Sequence, residues 1–364
     1  MKKVLVPKVR FKGFDEEWKE VRISNILTYV QPWKYLTKKK NFDMLGYIPV
    51  LTANKSLLLG YSVEDNYYNK ECIIFDDFTQ DFKYINYPFL LKSSAIKILI
   101  PNNNYSISFI FFLFQSLRFE SQGQARHYIS YVQKKLIRLP STNEANKIIK
   151  LLDQISNLIT LEEIKLNKLK QLKETLLEKM FPEGNSKTPK IRFRGFEGEW
   201  EEERISNILT YVQPWKYLTK KKNFDMLGDI PVLTANKSLL LGYSVEDNYY
   251  NKECIIFDDF TQDFKHINYP FLLKSSAIKI LIPNNNYSIS FIFFLFQSLR
   301  FESQGQYKTL YILCSKEIIR LPSTNEANKI IKVLDNITNL LDLYNSKLNK
   351  LKQIKKALIN KMLL

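Results

Sequence analysis

The sequence contains little cysteine and glycine, and it has no long apolar run. Its three cysteines provide no disulfide framework, so a reducing cytoplasm is the expected compartment. Residues 1–10 lack the apolar core of a signal peptide. The most apolar stretch, Ile107–Leu117, is interrupted by serine and glutamine and is too short to span a bilayer. We therefore expect a soluble, cytoplasmic protein that has no membrane partner.

Acidic residues are scarce relative to basic ones. The 364 residues include 37 Asp and Glu against 54 Lys and Arg, which gives a net charge of +17. This excess favours a polyanionic partner, although a soluble protein with a generic basic surface is an open alternative. A disordered basic tail is excluded, because 45% of the residues are hydrophobic and 14% are aromatic.

Two long segments, Asn143–Met180 and Asn325–Met362, carry the most regular pattern in the sequence. Apolar residues recur three or four positions apart, or at sums of these spacings, which predicts a helix with one apolar stripe. A helix of this length is about 57 Å long and cannot bury its stripe alone, so we predict that the two helices pair. The two stripes consist of Ile148, Leu152, Ile155, Ile159, Leu166, Leu169, Leu172 and Leu176, and of Ile330, Leu334, Ile337, Leu341, Leu348, Leu351, Ile354 and Leu358.

A domain-sized repeat accompanies these helices. The two halves align without a gap at an offset of 182 residues. Within Arg22–Gln124 only two positions differ from the second copy, namely Tyr47 against Asp229 and Tyr84 against His266. The predicted fold class is α+β, with two mixed α/β domains in a pseudo-two-fold internal repeat, separated by a long antiparallel two-helix coiled coil. The predicted boundaries are 1–140 and 186–322 for the domains, and 141–185 and 323–364 for the spacer helices.

Short β-rich segments dominate each copy. We predict strands where apolar runs are bounded by Asn, Asp, Pro or Gly, at Ile48–Leu51, Cys72–Phe75, Phe89–Leu91 and Ala95–Ile100. Glu20–Val30 is predicted to be a short helix, and Ser106–Phe119 a helix whose phenylalanines pack on the sheet. Polar loops at residues 52–56 and 76–86 then lie at the ends of the sheet, where recognition side chains commonly reside.

Two polar segments have a composition that suits DNA contact. Residues 31–35 read QPWKY and precede three lysines at 38–40, so aromatics that stack on bases or sugars alternate with cations that bind phosphates. A solvated surface turn explains this segment equally well. Residues 121–126 read SQGQAR, and in the major groove glutamine pairs with adenine and arginine with guanine. The alternative is a polar connection whose glycine only caps the preceding helix.

No complete catalytic motif is found. Asn86–Phe89 (NYPF) superficially resembles the N/D-P-P-Y/F motif of adenine methyltransferases, but Tyr87 replaces the first proline and no glycine-rich loop accompanies it. The enzyme alternative is a stand-alone metal-dependent DNA nuclease, although aspartates equally cap turns. Its candidate magnesium ligands and lysine are Asp65, Asp76, Asp77, Asp81 and Lys83. A protein-only scaffold is a third alternative, which salt-sensitive DNA binding would exclude.

Four short motifs, together with the order of domain, helix, domain and helix, carry a family resemblance. They are Pro189–Phe196 (PKIRFRGF) with Trp200, Ile230–Ala235 (IPVLTA), Leu136–Pro140 (LIRLP) and Lys179–Pro182 (KMFP). The chain resembles a type I restriction-modification specificity subunit over nearly its whole length. It departs from the family pattern in one respect, because its two target-recognition domains are nearly identical instead of different.

The resemblance implies a sequence-specific, host-defence DNA-binding subunit that is not itself an enzyme. Each domain would read one half of a bipartite site in double-stranded DNA. The partners would be two methyltransferase subunits and, beyond them, restriction/translocase subunits. No cofactor is expected in this chain, since S-adenosylmethionine, ATP and Mg²⁺ would belong to the partner subunits. Nearly identical domains on an approximate two-fold axis predict an inverted-repeat target with unread bases between the halves.

The candidate DNA-binding residues lie in the predicted polar loops of both copies. We expect lysines there to bind phosphates, and amides and arginine to read bases. No catalytic or metal-ligating residue is expected. The candidates are Thr52, Asn54, Lys55, Gln80, Lys83, Tyr84, Gln122, Gln124 and Arg126 in the first copy, and Thr234, Asn236, Lys237, Gln262, Lys265, His266, Gln304, Gln306 and Lys308 in the second.

Overall fold

The structure is a computed structural model that describes residues 6–38, 46–52, 57–117, 119, 127–220, 228–234, 239–258, 263–284, 286–299 and 318–363. Its contacts divide the chain into two compact units. Unit 1 comprises Met1–Glu163 and Lys347–Leu364, and unit 2 comprises Ile164–Ser346. Each unit therefore contains one copy of the repeated domain and a part of each long helix. Within the described ranges, every helix is too short or too polar to cross a bilayer.

Unit 1 is built from three small sheets. Its strands are β1 (Lys19–Arg22), β2 (Leu27–Val30), β3 (Ile48–Leu51), β4 (Leu58–Ser62), β5 (Cys72–Asp76), β6 (Phe82–Ile85), β7 (Leu90–Leu91), β8 (Ile96–Pro101) and β9 (Leu136–Leu139). The strand orders are β1-β9, β2-β8-β5-β6 and β4-β3-β7. Strand β5 is buried along its whole length, and its residues Cys72–Phe75 are apolar because both faces of the strand are covered. Ile73 and Phe75 belong to one core cluster, while Cys72 and Ile74 belong to another.

Helix α1 (Ile107–Ser116) covers one face of the four-stranded sheet in unit 1. The hydroxyl of Ser106 accepts a hydrogen bond from the Phe109 amide at 3.2 Å and caps the helix. Phe109 and Phe114 are fully buried, as predicted for this phenylalanine-rich segment. A short helix, α2 (His127–Ser130), follows before β9.

Unit 2 repeats the sheets of unit 1. Its strands are β10 (Glu201–Arg204), β11 (Leu209–Val212), β12 (Ile230–Leu233), β13 (Leu240–Ser244), β14 (Cys254–Asp258), β15 (Phe264–Ile267), β16 (Leu272–Leu273), β17 (Ile278–Pro283) and β18 (Ile318–Leu321). The strand orders are β10-β18, β11-β17-β14-β15 and β13-β12-β16, equivalent to those of unit 1. Its short helix α4 and helix α5 are Ile205–Ile208 and Ile289–Ser298.

Both predicted long helices are present, as α3 (Thr142–Lys179) and α6 (Thr324–Met362). The Ser141 hydroxyl accepts a hydrogen bond from the Glu144 amide at 3.3 Å and so caps the start of α3. In unit 1, Ile148 and Leu152 near the start of α3 share one core with Ile359 and Met362 near the end of α6. The final residues of the chain thus complete the core of the first domain.

The predicted apolar stripes are only partly buried. Leu172 of α3 and Ile354 of α6 are half-exposed, although both continue the helical spacing. Glu162 is buried instead, and its carboxylate accepts a hydrogen bond from the Lys347 ammonium at 2.9 Å. Which side chains of a long helix are buried depends on the elements packed against the helix. A regular apolar spacing in the sequence therefore does not ensure that every apolar residue is buried.

The prediction of a helix at Glu20–Val30 is wrong. This stretch forms β1, a 3-10 turn and β2, and each strand pairs with a distant segment of the same unit. The polar loop predicted at residues 76–86 is also partly wrong, since β6 occupies Phe82–Ile85 and pairs with β5. Strand β6 was missed because it is only four residues long and is flanked by the polar residues Asp81 and Asn86.

Buried thiols and phenols predict a loss of stability in alkali. Burial raises the pKa of Cys72 and of Cys254 to about 12, from an ordinary value near 9. Burial likewise raises the pKa of Tyr68 and of Tyr250 to about 12, from about 10. The unfolded chain therefore releases these protons first, so stability is retained below pH 9 and falls as pH rises toward 12.

Thermal unfolding measured between pH 8 and pH 11 tests this expectation. The melting temperature should fall steadily above pH 9, and the fall should be shallower in a Cys72→Ala, Cys254→Ala variant. This variant is the control, because it separates the thiols from the titrating surface lysines. A variant whose melting temperature declines as steeply as that of the unmodified chain would contradict the assignment to the thiols.

Candidate nucleic-acid interface

Parallel pairing brings three polar segments of unit 1 to one edge of the small sheet. Strands β3 and β7 are parallel, and Leu36 forms a further parallel bridge to Leu91 of β7. The Thr37 amide donates to the Leu91 carbonyl and the Lys92 amide donates to the Leu51 carbonyl, both at 2.9 Å. Residues that follow parallel strands leave the sheet at the same edge. We define this edge by residues 37–38, 52 and 92–95 and call it the loop edge.

The turn between β5 and β6 is attached to the loop edge. The Asp77 amide donates to the Ala95 carbonyl at 3.1 Å. The Asp76 carboxylate accepts a hydrogen bond from the Phe78 amide at 2.8 Å, and the Gln80 amide donates to the Asp76 carbonyl. Gln80 has a positive φ of 61°, a backbone conformation that residues other than glycine adopt only at a cost in conformational energy. The structure therefore joins two of the predicted loops, those that begin at Thr52 and after Asp76.

Two of the predicted contact residues on these loops lie below the surface. Thr52 and Gln80 are only 7% and 8% exposed. The Thr52 amide donates to the Leu57 carbonyl at 2.9 Å and closes the base of its loop. Thr234 in unit 2 is buried in the same way, and its amide donates to the Leu239 carbonyl. These positions hold loops in place, and sequence alone did not indicate their burial.

Lys83, Tyr84, Lys265 and His266 lie on strands, so their prediction as loop residues is wrong. Tyr84 on β6 donates a hydrogen bond to Glu71, and its ring centroid lies 5.8 Å from that of Phe111 on α1. Burial, followed by the bond to Glu71, raises the pKa of Tyr84 to about 12. Tyr84 therefore faces α1 instead of an open loop.

His266 occupies the equivalent place in unit 2. Its Nε2 lies 2.6 Å from the Glu253 carboxylate, and its ring lies 5.8 Å from that of Phe293 on α5. Both variants of this position thus contact an acid and a phenylalanine of their own domain. The difference between the copies at this position changes a packing contact between strand and helix.

Two aspartates of the nuclease alternative, Asp76 and Asp77, have structural partners. The carboxylate of Asp77 lies 3.7 Å from the ammonium of Lys97, and it also accepts a hydrogen bond from the Tyr128 amide at 2.9 Å. Asp76 caps the turn described above. Across the described parts of the chain, no three His, Cys, Asp or Glu side chains are grouped to hold a metal ion. The turn-capping interpretation of these aspartates is the one that the contacts support.

The other candidate contact residues lie outside the described residues. They are Asn54, Lys55, Gln122, Gln124 and Arg126 in the first copy, and Asn236, Lys237, Gln262, Gln304, Gln306 and Lys308 in the second.

The segment that begins with QPWKY, which was singled out for its mixture of aromatic residues and lysines, is fixed by side-chain hydrogen bonds in each unit. We call residues 31–38 and 213–220 the tryptophan segments. In unit 1 the Asn66 side chain donates to the carbonyls of Lys34 and Leu36, at 3.0 and 3.2 Å. Glu64 accepts hydrogen bonds from the Thr37 hydroxyl and the Lys38 amide. The roles of Glu64 and Asn66 were missed, because their partners lie about 30 positions away in the sequence.

Comparison with known proteins agrees with the sequence resemblance. Residues 15–171 match the type I restriction modification DNA specificity domain. A curated relative from Escherichia coli, the type I restriction enzyme EcoR124I/EcoR124II specificity subunit, is 24% identical over 370 residues. That match covers 90% of this chain and 88% of the relative.

Solved structures show the same fold. The type I restriction-modification S subunit from M. genitalium superposes with a TM-score of 0.72 at 15% identity, and 99% of each chain is covered. A second solved chain comes from a structure that describes complex assembly and conformational transition of the type I R-M system. It superposes with a TM-score of 0.52 at 13% identity, and the match covers 96% of this chain and 98% of that chain. Arg204–Gln306 repeats Arg22–Gln124, which lies inside the matched range, with only two differences. The chain is therefore similar to the type I restriction-modification DNA specificity family in both of its copies.

Proposed function

We propose that each repeated domain reads one half of a bipartite DNA target within a type I restriction-modification complex. The observation that carries the proposal is the specificity-domain match over residues 15–171 together with its near-identical second copy. The net charge of +17 supports a polyanionic partner. No observation favours the nuclease alternative, and the proposal assigns S-adenosylmethionine, ATP and Mg²⁺ to partner subunits.

The proposed spacer is an antiparallel coiled coil of α3 and α6 with approximate two-fold symmetry. Contacts within unit 1 support it, because Glu162 of α3 binds Lys347 of α6. Burial raises the pKa of Asp153, nine residues earlier in α3, and the charge of Lys355, eight residues later in α6, acts to lower it. Opposite directions along the two helices are what antiparallel pairing requires. The proposed domain boundaries remain 1–140 and 186–322, with spacers at 141–185 and 323–364.

We further propose that two methyltransferase subunits dock on exposed apolar positions of the long helices, with restriction/translocase subunits beyond them. In unit 1, Leu158 and Leu161 of α3 are exposed. In unit 2, the equivalent Leu340 and Leu343 of α6 are exposed as well. Apolar side chains that recur on a helix surface favour a protein partner. Their occurrence at the same positions of both copies suits two identical partners.

The proposed target is an inverted repeat, and a methylome tests it. Cells that express this chain with its methyltransferase partner should methylate adenine in two related half-sites on opposite strands, separated by unread bases. The same cells without this chain are the control and should lack the motif. Two half-sites of unrelated sequence would contradict the proposal.

A segment exchange makes this test more specific. Residues 125–137 differ between the copies, since ARHYISYVQKKLI is replaced by YKTLYILCSKEII at 307–319. If the native half-sites differ at some base, replacing residues 307–319 by the first-copy sequence should make the motif a perfect inverted repeat. An unchanged motif would assign the asymmetry to other residues.

A further inference from the structure

Each unit exposes one tryptophan and buries another. Trp18 and Trp200 are each 3% exposed, whereas Trp33 and Trp215 are 60% and 64% exposed. A single exposed apolar side chain is common on protein surfaces and needs no special explanation. What distinguishes Trp33 and Trp215 is the way the surrounding chain is held and the charges beside them.

The exposed indoles stand on segments that cannot easily rearrange to bury them. In unit 1, Asn66 and Glu64 bind four polar groups of the tryptophan segment, and the Thr37 amide is bonded to the Leu91 carbonyl. Pro32 is buried and fixes the start of the turn that carries Trp33. A side chain displayed on a rigid turn loses little entropy when it binds a partner.

Unit 2 repeats this arrangement. Asn248 donates to the carbonyls of Lys216 and Leu218, both at 3.1 Å. Glu246 accepts hydrogen bonds from the Thr219 hydroxyl and from the Lys220 amide. The same set of hydrogen bonds therefore fixes the segment that carries the exposed indole in both units.

Exposed lysines accompany each indole. Lys34 and Lys38 are exposed on the segment that carries Trp33, and Lys216 and Lys220 are exposed beside Trp215. Protein–protein interfaces are enriched in tryptophan but depleted in lysine. Nucleic-acid surfaces combine aromatic rings that stack with cations that bind phosphates. The combination on the tryptophan segments therefore favours DNA over a protein partner.

We propose that Trp33 and Trp215 pack against nucleotides of the bound duplex, while the lysines of the two tryptophan segments bind adjacent phosphates. This inference rests on the proposed DNA-reading function and adds a contact surface to it. Because the tryptophan segments have the same sequence in both copies, each half-site receives one indole and the same set of cations. The contact strengthens binding without choosing between bases, since every nucleotide of the duplex carries the same deoxyribose, against which an aromatic ring can pack.

Binding of a duplex that carries the methylome-derived target, by the full chain in complex with its methyltransferase partner, tests the proposal. Replacing both residues, Trp33→Ala with Trp215→Ala, should weaken binding about 10-fold for each tryptophan removed. Phenylalanine at both positions should recover most of the affinity, because an aromatic ring is retained. Val63→Ala with Val245→Ala is the matched control, since these are exposed apolar side chains at the same position of both copies.

Salt dependence separates the two parts of the proposed surface. The alanine variants at the tryptophans should keep the native slope of binding against salt concentration. Lys34→Gln with Lys38→Gln should instead lower that slope by about 0.9 for each phosphate that the protein no longer neutralises. Intrinsic fluorescence gives an independent signal. Added duplex should quench the emission of Trp33 and Trp215 and leave the emission of Trp18 and Trp200 unchanged. In the Trp33→Phe, Trp215→Phe variant this quenching should be lost.

The outcomes are distinguishable. Unchanged affinity in the tryptophan variants, while the native complex binds the duplex tightly, overturns this inference and leaves the proposed function intact. Weaker assembly with the methyltransferase in the absence of DNA also overturns it, since the surface would then serve a protein. A native complex that shows no salt-sensitive duplex binding would overturn the proposed function as well.

Discussion

Replacing Glu144 by alanine should lower the free energy of unfolding by about 3 kcal/mol, as expected when one partner of a buried ion pair is removed. The Glu144 carboxylate is buried and accepts two hydrogen bonds from the Arg10 guanidinium, at 2.7 and 2.8 Å. It also accepts one from the Trp18 indole at 3.1 Å. The substitution leaves these donors without their acceptor where water has little access. Denaturation in urea, followed by the fluorescence of the tryptophans, measures the loss.

The second copy provides an internal comparison for this prediction. Glu326 makes the same paired contact with Arg192, at 2.7 and 2.9 Å. Arg192 also donates to the carbonyls of Gly198 and Glu197, so Glu326→Ala leaves its guanidinium partly satisfied and should cost less. Glu17→Ala removes an exposed charge nearby and should change stability by no more than about 0.5 kcal/mol. Equal losses for Glu144→Ala and Glu17→Ala would exclude the anchoring role.

Replacing Asp77 by asparagine should also cost about 3 kcal/mol, because it leaves the Lys97 ammonium buried without its counter-charge. Both residues are almost completely buried, and their charged groups lie 3.7 Å apart. Asparagine keeps a carbonyl oxygen for the Tyr128 amide, so the loss reports mainly on the ion pair. Urea denaturation of the single and double variants gives the coupling between the two residues.

The control for this prediction is rescue by a second substitution. Lys97→Met in the Asp77→Asn chain removes the stranded charge and should restore most of the lost stability, since an apolar side chain suits this site. Asp65→Asn at an exposed position should have no measurable effect. A double variant no more stable than Asp77→Asn alone would argue against the structural role.

The long helices could be predicted because the information that specifies them is local. The apolar period continues over some ten turns, and the Ser141 to Glu144 spacing marks the start, so α3 begins and ends within one residue of its prediction. The burial of their side chains could not be predicted in this way, because it depends on residues that are distant in the sequence. Leu172 continues the period but is half-exposed, whereas Glu162 interrupts it and is buried beside Lys347.

The errors in the domains have a common physical cause. Strand β1 pairs with β9 and β2 pairs with β8, at separations of about 70 residues or more, so nothing close to Glu20–Val30 indicates the sheet that it joins. Thr52 and Gln80 were predicted to contact DNA because they are polar and lie in loops. Their burial depends on Leu57 and on the turn after Asp76, which composition does not reveal.

The position of the last helical turns has a consequence for how the protein is made. Ile359 and Met362 fill the core of the first domain, and the Val9 amide is bonded to the Lys361 carbonyl at 3.0 Å. On the ribosome, that core stays incomplete until residues 359–362 have been synthesised. At 5–20 residues per second this delay is roughly 10–40 s after residue 163 has been synthesised. The core of the first domain is therefore completed only after the second domain has been synthesised, and a chain that is cut before residue 359 lacks part of that core.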